Sequence, residues 1–172
     1  MITIIAGTNR KGSYTKRVAE IYKGTLSKQN IDCQILSLEE LPKDFIFSEF
    51  EKQSDNYIAF LKPYIIDVDR FIFIIPEYNG SFPGILKAFI DTVPPKYFRG
   101  KTSCLVGISS GHMGSVRSLD DFTDILHYLG VEVLSNKPKF SNIERLLNEN
   151  NQFIDEANQV RILKQLEIFA RF

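Results

Sequence analysis

The chain has 172 residues, 44% of them hydrophobic and 24% charged, which suits one domain, residues 1–172, around a continuous core. Lys and Arg number 21, as do Asp and Glu, so the net charge is zero and the basic excess of a general nucleic-acid binder is missing. No apolar run reaches the roughly 18 residues of a membrane span, and the opening MITIIAG lacks the basic region and long apolar core of a secretory signal, so a cytoplasmic protein with no membrane partner is expected.

Residues 2–6, ITIIA, read as a buried strand, and from about Thr15 the apolar positions Val18, Ala19, Tyr22 and Leu26 recur at helical spacing. DCQILSL, 32–38, alternates like a strand. Residues 39–56 are acidic, aromatic and irregular and predict a loop or partial helix, and a helix is expected over about 50–66, kinked or ended by Pro63. FIFII, 71–75, is the strongest strand. PGILKAFIDTV, 83–93, predicts a helix with Pro83 in its first turn, and TSCLVGIS, 102–109, another buried strand. A helix follows over 115–129, with Asp120 and Asp121 placed early enough to face its dipole, then a short strand VEVL, 131–134. The last helix is expected over about 150–170, with Phe153, Ala157, Val160, Leu163 and Leu166 on one side.

Near-continuous apolar strands alternating with helices imply a parallel sheet covered on both faces. Five strands predict an α/β fold, a flavodoxin-like three-layer sandwich with a five-stranded parallel sheet in the order 2-1-3-4-5. Cys33 and Cys104 lie far apart in apolar runs and read as buried thiols, with no CxxC pair. Cys104 cannot open a Cys-x5-Arg phosphatase loop, because Ser110 holds the Arg position. No metal-spaced His/Cys cluster and no Ser-His-Asp arrangement stands out, so no metal and no catalytic side chain is assigned. His112 falls in a loop and reads as solvent-facing, with a ligand contact as its other reading, and His127 falls in a helix, where a structural role is expected.

In an open parallel sheet, ligands bind beyond the carboxyl ends of the strands where strand order reverses. Three loops therefore belong together. The first, GTNRKGSYT at 7–15, fails the GxGxxG dinucleotide pattern at Asn9, and fails the Walker pattern because Ser13 stands where lysine is needed. Thr8, Ser13 and Thr15 hydroxyls, Arg10 and the N–H groups entering a helix around Tyr14 suit a phosphate monoester. Taken alone, the segment reads equally as an N-capping loop with a solvated basic face. The second loop, PEYNGSFPG at 76–84, has an Asn79–Gly80 turn and a rigid frame of prolines, and suits either a clasp for a flat heterocycle or a plain connection. The third, SSGHMGS at 109–115, is glycine-rich and permits close backbone approach.

Together these loops resemble the NADPH-dependent FMN reductase family, which includes flavodoxin-like quinone, azo-dye and chromate reductases. The family's first loop commonly reads G-S-x-R-x-x-S-x-N; Gly7, Arg10 and Ser13 match, Thr8 replaces Ser and Thr15 replaces Asn. Its second reads P-E-Y-N-x-S-x-P-G-x-L-K-x-x-I-D, matched here from Pro76 through Asp91 at every specified position. The resemblance covers roughly residues 2–135. It implies FMN bound without a covalent link, its phosphate on Thr8, Arg10, Ser13, Tyr14 and Thr15. Pro76, Glu77, Tyr78, Asn79 and Gly80 would meet the ring and ribityl chain, and Ser109, Ser110 and Gly111 the pyrimidine edge. Thr92 stands where many members have Trp, at a position expected to affect the subunit interface or the pocket rim.

The implied activity is hydride transfer from NADPH or NADH to flavin N5, then reduction of a small-molecule quinone, azo, flavin or metal-oxyanion acceptor, in a homodimer or homotetramer. A flavin-binding electron carrier or redox-sensing module without NAD(P)H turnover is the alternative. The aromatic segment holding Phe45, Phe47, Phe50, Tyr57 and Phe60 is expected mainly in the core, with a pocket rim or dimer interface as its other reading.

Overall fold

The computed structural model, which describes residues 1–172, builds one sheet from the apolar runs. Strands β1 (Ile2–Ala6), β2 (Cys33–Ser37), β3 (Arg70–Pro76), β4 (Thr102–Ile108) and β5 (Glu132–Val133) lie in the order β2-β1-β3-β4-β5, all parallel. This is the flavodoxin-like order. The chain leaves β1 for β2 on one side and returns to β3 on the other, so the switch point falls between β1 and β3.

Strand periodicity sorts the two cores. Phe71, Phe73 and Ile75 of β3 join Ile5 and Leu105 on one face, and Ile72 and Ile74 join Ile4, Cys104 and Val106 on the other. The first face is covered by α3 (Asp55–Leu61), α4 (Gly84–Thr92) and α5 (Val116–Tyr128), with the single turn α2 (Phe45–Ser48) beside α4. The second is covered by α1 (Tyr14–Lys28) and α6 (Glu156–Arg171). Val18, Ala19, Tyr22 and Leu26 are buried on α1 as their spacing predicts. No helix is long and apolar enough to cross a membrane.

Four details depart from expectation. The fifth sheet position is divided: β5 pairs with Thr102 and Ser103, whereas β6 (Lys139–Phe140) pairs with Gly107 and Ile108 farther along β4. The intervening residues leave the ladder, and Pro138 brings no N–H to it. Gln165 fills the gap: its Nε2 donates to Leu105 O at 3.0 Å and Asn136 O at 2.9 Å, and its Oε1 accepts from the Tyr22 hydroxyl at 2.7 Å.

That bonding decides the second departure. The buried face of α6 is Asn158, Ile162, Gln165, Leu166 and Phe169, while Val160 and Leu163 are 53% and 41% exposed. The predicted stripe through Ala157, Val160 and Leu163 is therefore wrong. A face holding Ile162, Leu166 and Phe169 offers larger apolar side chains, and Gln165 satisfies carbonyls that a purely apolar face would leave bare.

The helix expected over 50–66 is shorter than predicted. α3 starts at Asp55, capped by Ser54, whose Oγ accepts from the Tyr57 N–H at 3.2 Å, and it opens into a wider π turn over Lys62–Ile66 around Pro63. Glu49 fixes that start by accepting from Ser54 N–H at 2.6 Å and from Ser54 Oγ at 2.9 Å. The bond from the Ser54 N–H holds the Glu49 carboxyl below its ordinary value. Finally, Asp120 and Asp121 lie past the first turn of α5, and Asp121 accepts from Ser81 Oγ at 2.5 Å rather than serving the helix dipole.

Candidate functional site

The carboxyl ends of β1, β3 and β4 are neighbours, so the three predicted loops meet along one sheet edge. They enclose a cavity of about 270 Å³. Arg10, Ser13, Tyr14 and Thr15 form one wall, Pro76, Glu77 and Tyr78 the floor, and Ser109 and Ser110 the far side. A second cavity of about 210 Å³ shares Glu77, Ser109 and Ser110 with the first and adds Asn79, Gly111, His112 and Met113. The two form a groove running from the start of α1 to the third loop.

The first loop leaves its donors free. The backbone N–H groups of Lys11, Gly12, Tyr14 and Thr15 meet no acceptor within the protein. They stand at the N-terminus of a 15-residue helix, where partial positive charge collects. Ser13 is the N-cap, accepting from the Lys16 N–H at 3.4 Å, and its own hydroxyl proton is free to point outward. Arg10 is exposed and pairs with no carboxylate. Arg10 lines the same cavity as these residues, with its guanidinium uncommitted.

Thr8 does something else. It is buried, its hydroxyl lies 2.9 Å from the Tyr78 hydroxyl, and it accepts from the Arg10 N–H at 3.3 Å. Thr8 lines neither cavity; it ties the first loop to the second.

The second loop is a two-residue hairpin turn. Tyr78 N–H donates to Ser81 O at 2.8 Å and Ser81 N–H donates back to Tyr78 O at 3.1 Å. Asn79 and Gly80 both have positive φ, 52° and 83°, the geometry for which Asn-Gly is favoured. Gly80 supplies the turn and does not line either cavity. At the head of this loop the Glu77 N–H is held by Ile108 O at 3.1 Å, while Oε2 of its carboxylate is shut off from solvent with no hydrogen-bond partner.

The third loop is laced internally. Ser109 N–H donates to Phe140 O at 3.1 Å, and its hydroxyl donates to Gly111 O at 2.8 Å while accepting from Gly114 N–H at 3.1 Å. Ser141 Oγ donates to His112 O at 2.9 Å. Gly107 lets the loop fold back onto its strand, for a Cβ there would lie 2.6 Å from Gly114 O. Ser109 thus has no side-chain donor left, and the N–H groups of Ser110, Gly111, His112 and Met113 are free.

Sequence reasoning missed Lys11, Gly12, Ile108 and Ile143 of the first cavity and Met113 of the second, while His112 is exposed as expected and also lines the second. Lys11 and Gly12 lay inside the quoted loop. Ile143 carried no sequence signal, because β6 brings it to the site. Thr92 is fully buried, its hydroxyl 2.8 Å from the Tyr57 hydroxyl, so it touches neither rim nor surface. Phe45 and Tyr57 belong to the core as expected, while Phe47 is 91% exposed. Burial pushes the Cys104 thiol far up and the partly buried Cys33 thiol up as well, so neither is a reactive thiolate.

These donors fit FMN. The free N–H groups at the start of α1, with Ser13 and Arg10, suit a phosphate dianion. The groove beyond has hydrogen-bonding groups of both signs, contributed by the second and third loops.

A family model described as NADPH-dependent FMN reductase matches residues 1–144. A 2-hydroxy-1,4-benzoquinone reductase from a Burkholderia species is 24% identical over 98% of this chain and 93% of its own length. An NAD(P)H-dependent FMN reductase of Pseudomonas aeruginosa is 26% identical over 95% of this chain and 89% of its own. Among solved structures, the flavoenzyme NAD(P)H:(acceptor) oxidoreductase FerB from Paracoccus denitrificans superposes with a TM-score of 0.79 at 21% identity, covering 98% of this chain and 93% of that one.

Proposed function

The chain belongs to the NADPH-dependent FMN reductase family, oxidoreductases that work with FMN and NAD(P)H, and from that premise we propose that its FMN lies along the groove with the phosphate on the first loop. The observation that carries this reading is the run of unpartnered N–H groups at the start of α1, opening into a groove that the other two loops complete. Lys11, Gly12, Tyr14 and Thr15 would hold the phosphate through backbone N–H groups, with Ser13 and Arg10 adding side-chain donors. Pro76, Glu77, Tyr78 and Asn79 would flank the ribityl chain and ring. Ser110 and Gly111 would turn N–H groups to the pyrimidine edge, while Thr8, Gly80 and Ser109 hold the loops in shape.

When bound, FMN supplies the redox chemistry, taking hydride from NADPH or NADH and passing electrons to a quinone, azo, flavin or metal-oxyanion acceptor. This chain's residues then have three tasks. The first loop anchors. The Asn79–Gly80 turn and the laced third loop keep the ring plane fixed. The free N–H groups of Ser110, Gly111 and His112 stand ready for negative charge that develops on reduction, without rearrangement. No side-chain acid or base is required for those tasks.

The reading includes a cytoplasmic homodimer or homotetramer with a small-molecule acceptor. Support for association comes from the α2–α4–α5 side, where Phe47 and Tyr128 are each 91% exposed. Sedimentation velocity of the wild type against Tyr128→Glu checks it; a wild-type monomer contradicts it. The redox function is tested by titrating FMN into the protein and adding NADPH or NADH without oxygen. A saturable FMN complex bleached by one or both nicotinamides is expected. A complex that neither bleaches points instead to the electron-carrier alternative, and no complex overturns the FMN reading.

A further inference from the structure

The Asn79–Gly80 turn carries a chemistry that the proposed function leaves aside. The side-chain carbonyl carbon of an asparagine lies within reach of the next backbone nitrogen, and ring closure between them is least crowded when that next residue is glycine. No other asparagine in the chain is followed by glycine. Several others have their amides engaged. Asn142 meets His112 Nδ1 at 3.4 Å, Asn148 Oδ1 accepts from the N–H groups of Asn150 and Gln152 at 2.9 Å each, and Asn158 Oδ1 accepts from Arg161 at 3.2 Å. Asn79 is exposed, its amide makes no hydrogen bond within the protein, and the Gly80 N–H meets no acceptor. Both reacting groups are therefore free.

A second observation concerns charge. Nη1 of Arg117 lies 3.5 Å from the point where a Cβ on Gly80 would stand. Arg117 is exposed and pairs with no carboxylate, and Asp121, one turn further along α5, is held by Ser81 Oγ instead. A guanidinium so placed favours loss of the Gly80 amide proton, and favours the carboxylate that the reaction leaves behind.

We propose that Asn79 is a deamidation site of the ligand-free protein, promoted by Arg117 and suppressed when the groove is filled. The Gly80 nitrogen, its proton passed to water, attacks Cγ of Asn79. The N–Cγ bond forms, the Cγ–Nδ2 bond breaks, and Nδ2 takes a proton from water and leaves as ammonia. Water then opens the succinimide at either carbonyl. One opening gives aspartate; the other gives isoaspartate, in which the main chain runs through the former side chain.

The turn governs the rate and suffers the result. Closed, it holds Asn79 in the left-handed region at φ 52°, and ring closure must rotate ψ out of that region, which parts the Tyr78–Ser81 bonds. Isoaspartate adds an atom to the main chain of a two-residue turn, so those reciprocal bonds cannot re-form in register. The second loop is deformed where Asn79 lines the groove. Suppression by FMN rests on the FMN reading above; the site itself does not.

The test ages the full-length apoprotein in warm, mildly alkaline buffer and maps its peptides by mass spectrometry, with enzymatic methylation of isoaspartate as a second readout. Conversion is expected at Asn79 ahead of every other asparagine, and Arg117→Ala should slow it about two- to fivefold, the range of an exposed charge contact. FMN at about ten times its dissociation constant should slow it about tenfold, because the ligand fills the closed form and depletes the open one. The aged protein should bind FMN more weakly than Asn79→Asp, which carries the same charge on an ordinary main chain, in a turn that Asp-Gly also favours. Asn79 retaining its amide while other asparagines convert overturns the assignment. An unchanged rate in Arg117→Ala overturns the part given to that cation, and equal weakening of the aged protein and Asn79→Asp overturns the deformed turn. FMN that binds without slowing the reaction overturns the link between turn and ligand. If no FMN complex forms, the proposed function falls while conversion of Asn79 still decides the site, so the two failures are told apart.

Discussion

The first and third loops sit at opposite ends of one groove and are built in opposite ways. The first leaves a run of backbone donors without partners, with Thr8 reaching across to Tyr78 and Ser13 capping α1. The third also has free N–H groups, at Ser110 through Met113, but it is tied down at its ends: the Ser109 N–H and hydroxyl and the Gly114 N–H are engaged, and residues 139–143 are bonded against it. Free donors suit an anion that supplies many acceptors and tolerates small shifts. A laced loop suits a flat ring whose plane must not shift. Affinity should therefore be concentrated in the first loop, and shape in the third.

The largest effect should come from the third loop's seat on β4. Gly107→Ala places a Cβ 2.6 Å from Gly114 O and 3.0 Å from Leu119 Cδ1, and the backbone atom cannot yield as a flexible side chain would. A stability loss of about 1–3 kcal/mol is expected, with FMN affinity falling alongside it. Calorimetry and titration check this together; unchanged melting would show that the loop is looser than its bonds imply.

Next, Arg10→Ala combined with Ser13→Gly should weaken FMN by an order of magnitude or more, since hydrogen bonds to charged groups contribute about 1.5–3 kcal/mol each. Glycine is chosen at Ser13 because it costs a helix N-cap only a few tenths of a kcal/mol, where alanine costs more. Affinity should fall with melting nearly unchanged. The reverse pattern would make the first loop structural and break the contrast.

Ser109→Ala sharpens it from the other end. It leaves the Gly114 N–H, which the serine hydroxyl now satisfies, without its acceptor, and should lower stability by about 1–3 kcal/mol. Its effect on FMN should be smaller than that of the first-loop pair. Equal losses in both would mean that the serine contacts the ligand directly.

The smallest effect at neutral pH concerns two buried groups, Cys104 on β4 and Tyr57 on α3. Burial raises the pKa of Cys104 far above its ordinary value, and burial likewise pushes Tyr57 up to about 12. The folded state keeps these protons while the unfolded chain releases them, so stability must fall as pH rises through the ordinary thiol and phenol range. Each such proton contributes a slope of up to about 1.4 kcal/mol per pH unit. Stability at pH 7 is untouched by this linkage. Alkaline urea titrations of Cys104→Ala should show a shallower decline above about pH 9 than the wild type; parallel curves would remove Cys104 from the explanation.

Most of the fold was legible because the strands are apolar runs separated by helical periods. Five such strands suit the order that the sheet adopts, and that order brings residues 7–15, 76–84 and 109–115 to one edge. What the sequence hid depends on contacts between distant positions. Thr8 looks like a ligand donor until Tyr78, 70 residues away, takes its hydroxyl. The buried side of α6 turns on Gln165, whose partners are carbonyls beside a gap in the fifth strand position. Ile143 enters the site because β6 resumes pairing after that gap. Ser109 matched a ligand position by sequence, yet internal bonds use both of its donors, the N–H and the hydroxyl.

Amide-resolved NMR of the 15N-labelled protein during titration with FMN tests the central claim most directly. The account predicts the largest downfield shifts at Lys11, Gly12, Tyr14 and Thr15, with further changes at Ser110 and Gly111, while Ser109 and Gly114 hold nearly still. Principal shifts elsewhere, such as along the α4–α5 side, with the amides at the start of α1 unmoved, would contradict it.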